Sequence, residues 1–324
     1  MRLGIGGAGE VHLVEDAKGS KFAVKILDPK IAAEEPACVD RFVQEAEFAL
    51  KSRHPNLVPV YDAGRDPDTG LCYIVMEYQP GGTLRELISA SREGLPLARA
   101  AAIASDIAHA LSYIEANGLV HRDVKPENVL FAPDGTARLS DLGASLFRTD
   151  GGNMRVTDAE KVVGTPAYMA PEQMFDSHSA DMRADIYSLG IVLFEMLAGR
   201  RPNDGETAMN SFAKALEGRM FPDVRTLRPD TPPPLAALIS RMIDPDPAKR
   251  PSSARSVLLA LINPMPATMP SRTTLPETPR AATDAIPESP WYADKALALA
   301  ALSLAVSLAV LAAVLFAVSG GGAR

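Results

Sequence analysis

The sequence predicts an α+β chain: a mixed globular region over residues 1–262, then a proline-rich tether and one long apolar helix. Three observations carry this. Strand-like stretches separated by turn residues occupy the first part of the chain. A long helical stripe follows over Leu97–Ala116. Behind them, residues 263–290 hold seven prolines in 28 positions, and residues 296–318 run 23 positions without a charge. A length of 324 residues suits about two domains or one bilobal one.

Composition narrows the function classes. Apolar residues make up 47% of the chain, enough for a sizeable core. The formal net charge of -7 argues against nucleic acid as the main partner, because a phosphate backbone calls for a basic surface. The two cysteines, Cys38 and Cys72, exclude a disulfide-stapled scaffold and fit a reducing compartment. The histidines are scattered and form no zinc-type cluster with cysteine.

The first element is Gly4-Ile5-Gly6-Gly7-Ala8-Gly9-Glu10-Val11, a G-x-G-x-x-G-x-V pattern. Glycines let a backbone approach phosphates closely, because no Cβ intervenes. The same spacing opens dinucleotide-binding folds, which continue directly into a helix. Here Val11–Val14 continues as a strand, residues 16–20 form a turn, and Phe22–Leu27 form a second strand. The glycines therefore read as the tip of a β-hairpin over a nucleotide. Lys25 interrupts the second strand and shares a face with Ala23. Ala23 suits contact with a base and Lys25 contact with phosphates; an ordinary edge-strand lysine is the competing reading.

Residues 40–50 read as a helix, with Phe42, Ala46 and Ala49 at helical spacing. Glu45 and Glu47 are both candidates to pair with Lys25 and hold it charged. Residues 73–79 read as a strand running into the loop Pro80-Gly81-Gly82. In Leu97–Ala116, Ile103, Ile107, Leu111 and Ile114 form a stripe read as core.

The decisive run comes next: His121-Arg122-Asp123-Val124-Lys125-Pro126-Glu127-Asn128, then Asp141-Leu142-Gly143. Gly164-Thr165-Pro166-Ala167-Tyr168-Met169-Ala170-Pro171-Glu172 and Asp185-Ile186-Tyr187-Ser188-Leu189-Gly190 follow. In this series and order the chain resembles the protein kinase family, specifically the eukaryotic-like serine/threonine kinases of bacteria. The resemblance covers residues 1 to about 262. It implies a bilobal fold, with a β-rich N-lobe at 1–79 and an α-rich C-lobe at 80–262, and ATP and Mg²⁺ as cofactors.

The resemblance also implies roles. Asp123 is the base that orients the substrate hydroxyl, and Lys125 contacts the γ-phosphate. Asn128 and Asp141 hold Mg²⁺, a hard cation that prefers oxygen. Lys25 grips the α- and β-phosphates and pairs with Glu45, which leaves Glu47 solvated. The loop Gly4, Ile5, Gly6, Gly7, Ala8, Gly9 with Val11 caps the phosphates. Met76 stands behind the adenine, and the backbones of Glu77 and Gln79 meet its edge. Thr165, Asp185 and the pair Glu172–Arg250 are structural braces. Arg122, beside Asp123, marks kinases whose activation loop is ordered by phosphorylation, and Thr157 is the expected autophosphorylation site.

Two departures stand out. Asp141-Leu142-Gly143 replaces the usual Asp-Phe-Gly, with the metal-binding aspartate kept. Only Met1-Arg2-Leu3 precede Gly4, so either the first strand is truncated or the true start lies upstream of this Met; a shortened strand is expected to leave the glycine loop mobile.

Beyond residue 262, a proline-rich linker is expected over 263–295, a transmembrane helix over 296–318 and a short tail over 319–324. The apolar run would span ~34 Å, enough for a bilayer core of ~30 Å. Trp291 and Tyr292 sit where interfacial aromatics belong. Arg280 and Lys295 before the span favour a cytoplasmic kinase domain on the inner membrane. Ala301, Ala305, Ala309, Ala313 and Ala317 form a small-residue stripe that would suit a homodimer.

The function expected from all this is phosphorylation of serine and threonine on proteins, with autophosphorylation. A membrane pseudokinase scaffold is the alternative, opposed by the intact Lys25, Asp123, Asn128 and Asp141. A small-molecule phosphotransferase is opposed by the Gly-Thr and Ala-Pro-Glu elements.

Overall fold

The computed structural model describes residues 1–6, 9–34, 36–67, 69–142, 166–175, 180–205, 210, 214, 217–218 and 221–262. These residues divide into two compact units, 1–50 with 60–78 and 51–59 with 79–262. The proline-rich linker and the apolar run at 296–318 lie outside the described residues. Among the described residues no helix is long and apolar enough to cross a membrane.

The first unit is built on a five-stranded antiparallel sheet. Its strands are β1 (Arg2–Gly6), β2 (Gly9–Glu15), β3 (Lys21–Leu27), β4 (Val60–Arg65) and β5 (Cys72–Glu77), in the order β1-β2-β3-β5-β4. Gly6 pairs with Gly9, so the glycine segment closes a β-hairpin, as its pattern predicts. The first strand is short but present, and Gly4 and Gly6 belong to it. Gly9 has a second constraint: a Cβ there would fall 1.9 Å from the Ile26 carbonyl oxygen of β3. Asp16 organises the next turn, its Oδ1 accepting the N–H groups of Lys18 and Ser20 at 2.8 Å each.

β3 lies between β2 and β5, so Lys25 is on a central strand and the edge-strand reading is removed. Strand alternation puts Phe22 and Val24 into a buried cluster with Tyr73 and Val75. Tyr61 packs edge-on against Phe22, with ring centroids 5.8 Å apart. Ala23 and Lys25 share the opposite face. Burial, and then the neighbouring Asp62 carboxylate, push the Tyr73 hydroxyl up to about 12. Two helices follow β3, α1 (Pro29–Glu34) and α2 (Pro36–Lys51). α2 starts four residues before the predicted 40–50 helix, at a proline whose fixed φ suits a first helical turn. Phe42, Ala46 and Ala49 are buried, as their spacing predicts.

The second unit is helical, with one small hairpin. Its elements are α3 (Leu84–Ala90), α4 (Leu97–Ala116), β6 (Val129–Phe131), β7 (Ala137–Leu139), α5 (Pro171–Phe175), α6 (Met182–Ala198), α7 (Pro233–Met242) and α8 (Ala254–Ile262). α6 is the centre of this unit. It is buried on all sides over residues 184–197 and packs against α4, α7 and α8. Asp181 caps its start by accepting the Arg183 N–H, and Gly199 ends it in the left-handed region at φ 71°. The predicted stripe of α4 is core: Ile103, Ile107, Leu111 and Ile114 are buried.

Residues 51–59 belong to the second unit because they pair with β7. The Leu139 N–H donates to the Asn56 carbonyl at 2.8 Å, and the Val58 N–H donates to the Leu139 carbonyl at 3.0 Å. The Pro80-Gly81-Gly82 loop lies against β6. A Cβ on Gly81 would fall 2.6 Å from the Phe131 Cβ, so this close approach needs glycine.

Candidate active site

The second unit gathers the charged side chains of the 121–128 segment around one hydrogen-bonded frame. Asp185, on the first turn of α6, is fully buried. Its Oδ2 accepts the His121 N–H at 2.7 Å and its Oδ1 accepts the Arg122 N–H at 2.6 Å. Burial pushes the Asp185 carboxyl up, against the pull of His121 and the two N–H groups. Those two bonds hold Arg122 in the left-handed region at φ 69°, a conformation few non-glycine residues adopt. The turn so made points Asp123 away from the core. The side chains of Asp123 and Lys125 are 26% and 16% exposed, part-buried groups still open to a ligand.

Asp123 is held from two sides through one oxygen. Its Oδ2 accepts Lys125 Nζ at 2.7 Å and Asn128 Nδ2 at 2.9 Å. Asn128 Nδ2 also donates to the Asp123 carbonyl at 2.8 Å. Both amide hydrogens of Asn128 are thus engaged with Asp123, and its carboxamide oxygen is the atom left to meet a ligand. Lys125 neutralises Asp123, and the second carboxylate oxygen keeps its lone pairs for an incoming hydroxyl.

The β6–β7 hairpin brings the next acid to the same place. The Ser140 N–H and Oγ both donate to the Asn128 carbonyl, at 2.8 and 3.0 Å. The His121 ring nitrogen lies 3.0 Å from the Ser140 carbonyl oxygen. Asp141 follows directly, exposed and left-handed at φ 64°. Leu142, in place of the usual phenylalanine, is buried at 6% exposure, so the apolar substitution keeps an apolar position. The described residues hold no group of three acidic, His or Cys side chains that would grip a metal alone. Two oxygen donors, Asn128 and Asp141, instead fit a hard cation that keeps waters and substrate phosphates as its other ligands.

In the first unit, Lys25 Nζ lies 5.9 Å from the centroid of the Phe42 ring, which places the charge against α2. Glu45 lies on α2, but its side chain is outside the described residues. Of the glycine segment, Gly4, Ile5, Gly9 and Val11 lie on β1 and β2, as does the backbone of Gly6, while Gly7 and Ala8 lie outside the described residues. Met76 and Glu77 end β5, and the Tyr61 hydroxyl donates to Glu77 at 3.2 Å. Gln79 is buried. Thr157 and Thr165 lie outside the described residues.

Two braces complete the second unit. All five N–H groups of Arg250 are engaged. Two go to the Glu172 carboxylate, at 2.6 and 2.9 Å, and three to the carbonyls of Asp244, Arg183 and Pro245. The Arg250 guanidinium also lies 4.8 Å from the Tyr187 ring centroid. Arg250→Ala is expected to destabilise the chain by about 3 kcal/mol, since the buried fork has no replacement. Urea unfolding measures this, and a midpoint equal to wild type would contradict it. Gln173 is the brace that sequence reasoning missed. Its Oε1 accepts the Ala170 N–H at 3.0 Å and its Nε2 donates to the Arg122 carbonyl at 3.2 Å, tying α5 to the 121–128 segment.

Comparison with known proteins shows the family to which the chain belongs. Residues 1–260 match the family described as Protein kinase domain. The chain is 35% identical over 263 residues to "Serine/threonine-protein kinase PknB" of Mycolicibacterium smegmatis, covering 80% of this chain and 41% of that protein. It is 39% identical over 211 residues to the protein of the same name in Mycobacterium tuberculosis, covering 64% of this chain and 33% of that one. A "Probable serine/threonine-protein kinase" of Streptomyces coelicolor is 36% identical over 256 residues, covering 78% of this chain and 37% of that protein. The chain therefore spans 33–41% of the length of these relatives.

Proposed function

Because the chain belongs to the protein kinase domain family, we propose that it transfers the γ-phosphoryl group of ATP to serine and threonine hydroxyls of proteins, in bacterial signalling. The observation that carries this is the Asp123–Lys125–Asn128 cluster, held by Asp185 and set beside Asp141. In the proposed reaction the substrate hydroxyl oxygen bonds to the γ-phosphorus as the bond to the ADP oxygen breaks. The hydroxyl proton passes to Asp123. Lys125 balances charge on the moving phosphoryl group, and alignment supplies most of the remaining rate. Asn128 and Asp141 would hold Mg²⁺, which when bound neutralises phosphate charge.

In this reading Lys25, kept charged by Glu45, holds the α- and β-phosphates, and the segment Gly4–Gly9 with Val11 covers them. Ala23 and Met76 flank the adenine, and the backbones of Glu77 and Gln79 read its edge. Thr157 receives a regulatory phosphate that pairs with Arg122. Residues 296–318 anchor the chain in the inner membrane with the kinase part cytoplasmic, and their alanine stripe pairs two copies. Thr165 braces the Asp123–Lys125 pair.

The test is transfer of radiolabel from γ-labelled ATP to a serine- and threonine-containing acceptor protein, with phosphoamino-acid analysis. Phosphoserine and phosphothreonine, lost on chelation of divalent metal, are the expected products. Transfer to small molecules alone, or nucleotide binding with no transfer, would overturn the proposal.

A further inference from the structure

Residues 54–58 clasp β7 through Asn56, and the reaction above makes no use of the histidine that holds Asn56 in place. Asn56 is buried. Its carbonyl accepts the Leu139 N–H at 2.8 Å, and its Nδ2 donates to the Ala137 carbonyl at 3.1 Å. Its own N–H donates to His54 Nδ1 at 3.2 Å. β7 runs directly into Ser140 and Asp141, so the clasp sits at the root of the segment that carries Asp141.

The Nδ1 contact fixes the state of the ring. An N–H can donate only to a bare ring nitrogen, so a neutral His54 carries its proton on Nε2. A second proton must go to Nδ1, the atom that the Asn56 N–H occupies. It would set N–H against N–H and leave a buried donor without an acceptor. A metal ion is no alternative use of the ring. Nε2 offers it a lone pair only if the proton moves to Nδ1, with the same loss.

The surroundings also resist the second proton. The half-buried His54 ring leans on Tyr113 of α4, with ring centroids 5.2 Å apart and planes 34° apart. The charged and titratable groups on the packed elements are Arg53 beside it in sequence, Asp106, His109, Tyr113 and Glu115 on α4, and Arg138 on β7. Asp106 and Glu115 accept the N–H groups of Ala137 and Ala254, at 3.0 and 3.1 Å. His109 is exposed, and it is the group whose charge bears on His54. Burial first, and then His109, hold the His54 imidazole below the usual histidine value. The unfolded chain, at an ordinary value of about 6.5, therefore takes up the proton before the folded chain does. The contribution of His54 to stability is complete above about pH 6.5 and is lost as the pH falls through the lowered value.

We propose that His54 is a proton-sensitive latch: uptake of a second proton at Nδ1 releases the Asn56 N–H and loosens the grip of residues 54–58 on β7, and so on the base of Asp141, while His109 opposes that uptake. The inference concerns the clasp itself and does not depend on the reaction proposed above.

The test follows the full chain from about pH 8 to about pH 5.5, across the ordinary histidine range. NMR of the histidine rings reads their titration, with His54 identified by its contact with the Tyr113 ring. His54 is expected to titrate below about 6.5, and its midpoint to move up in His109→Gln, where the opposing charge is gone. Hydrogen exchange, corrected for the intrinsic effect of pH, reads the clasp. In the wild type, exchange over residues 54–58 and 137–141 is expected to accelerate by up to about tenfold for each pH unit below about 6.5. His54→Asn keeps a side-chain acceptor for the N–H two residues on, does not titrate, and should show no such acceleration. A His54 midpoint at or above about 6.5, or one unmoved in His109→Gln, overturns the proposal. Wild-type exchange that is flat with pH, or an equal acceleration in His54→Asn, overturns it as well. If His54→Asn does not fold, His109→Gln and the wild-type exchange decide alone.

Discussion

Asp123→Asn is expected to lower phosphoryl transfer by about 10²- to 10⁴-fold, the range of a positioned general base, while leaving the fold intact. The wild-type carboxylate accepts two donors on Oδ2, Lys125 Nζ at 2.7 Å and Asn128 Nδ2 at 2.9 Å. An amide has one oxygen and one NH₂. The oxygen will take the position facing these two donors, since the NH₂ group there would meet only donors. The NH₂ then lies where the free carboxylate oxygen was, and it cannot accept a proton. Packing changes little, because the variant is isosteric and the position is part-exposed. Steady-state kcat together with a thermal melt separates the two effects. A variant that keeps activity within tenfold of wild type would remove Asp123 from the proposed chemistry.

Asp185→Ala is expected to damage stability and activity together. Its carboxylate is the acceptor for two buried N–H groups, those of His121 and Arg122. Leaving each unsatisfied costs about 1–3 kcal/mol, so a loss of about 2–6 kcal/mol is expected from the pair. The left-handed Arg122 adds to this, because a strained backbone persists only where its surroundings hold it. Once released, the turn relaxes and Asp123 loses its aim, so kcat falls even in the molecules that remain folded. Asp185→Asn retains one acceptor oxygen and should fall between wild type and alanine in denaturant midpoint. Equal midpoints for Asp185→Ala and wild type would contradict this account of the turn.

What was legible in the sequence follows its local patterns. The hairpin of β1 and β2, the strand carrying Lys25 and the stripe of α4 each repeat at a strand or helix period, and all three hold. The series from His121 to Asp185 was readable as a resemblance, residue by residue. Other features had no local signal. β4 carries Asp62 and Gly64, which break apolar alternation, and only its pairing with β5 makes it a strand. Asn56 reaches the Ala137 carbonyl across 81 positions, so the placement of residues 51–59 with the helical unit could not be read from neighbours in sequence. The same applies to Arg85, whose partners Glu127, Tyr168 and Glu195 lie 42, 83 and 110 positions away. The left-handed backbones of Arg122 and Asp141 fall on residues other than glycine, where composition gives no sign of them.

The most direct measurement is a crystal structure of the protein with Mg²⁺ and a non-hydrolysable ATP analogue. Metal density is expected bonded to the Asn128 carboxamide oxygen and the Asp141 carboxylate. The terminal phosphate is expected within hydrogen-bond reach of Lys125, with an oxygen of Asp123 facing the point of attack. A nucleotide bound with its phosphates away from these four side chains would contradict it.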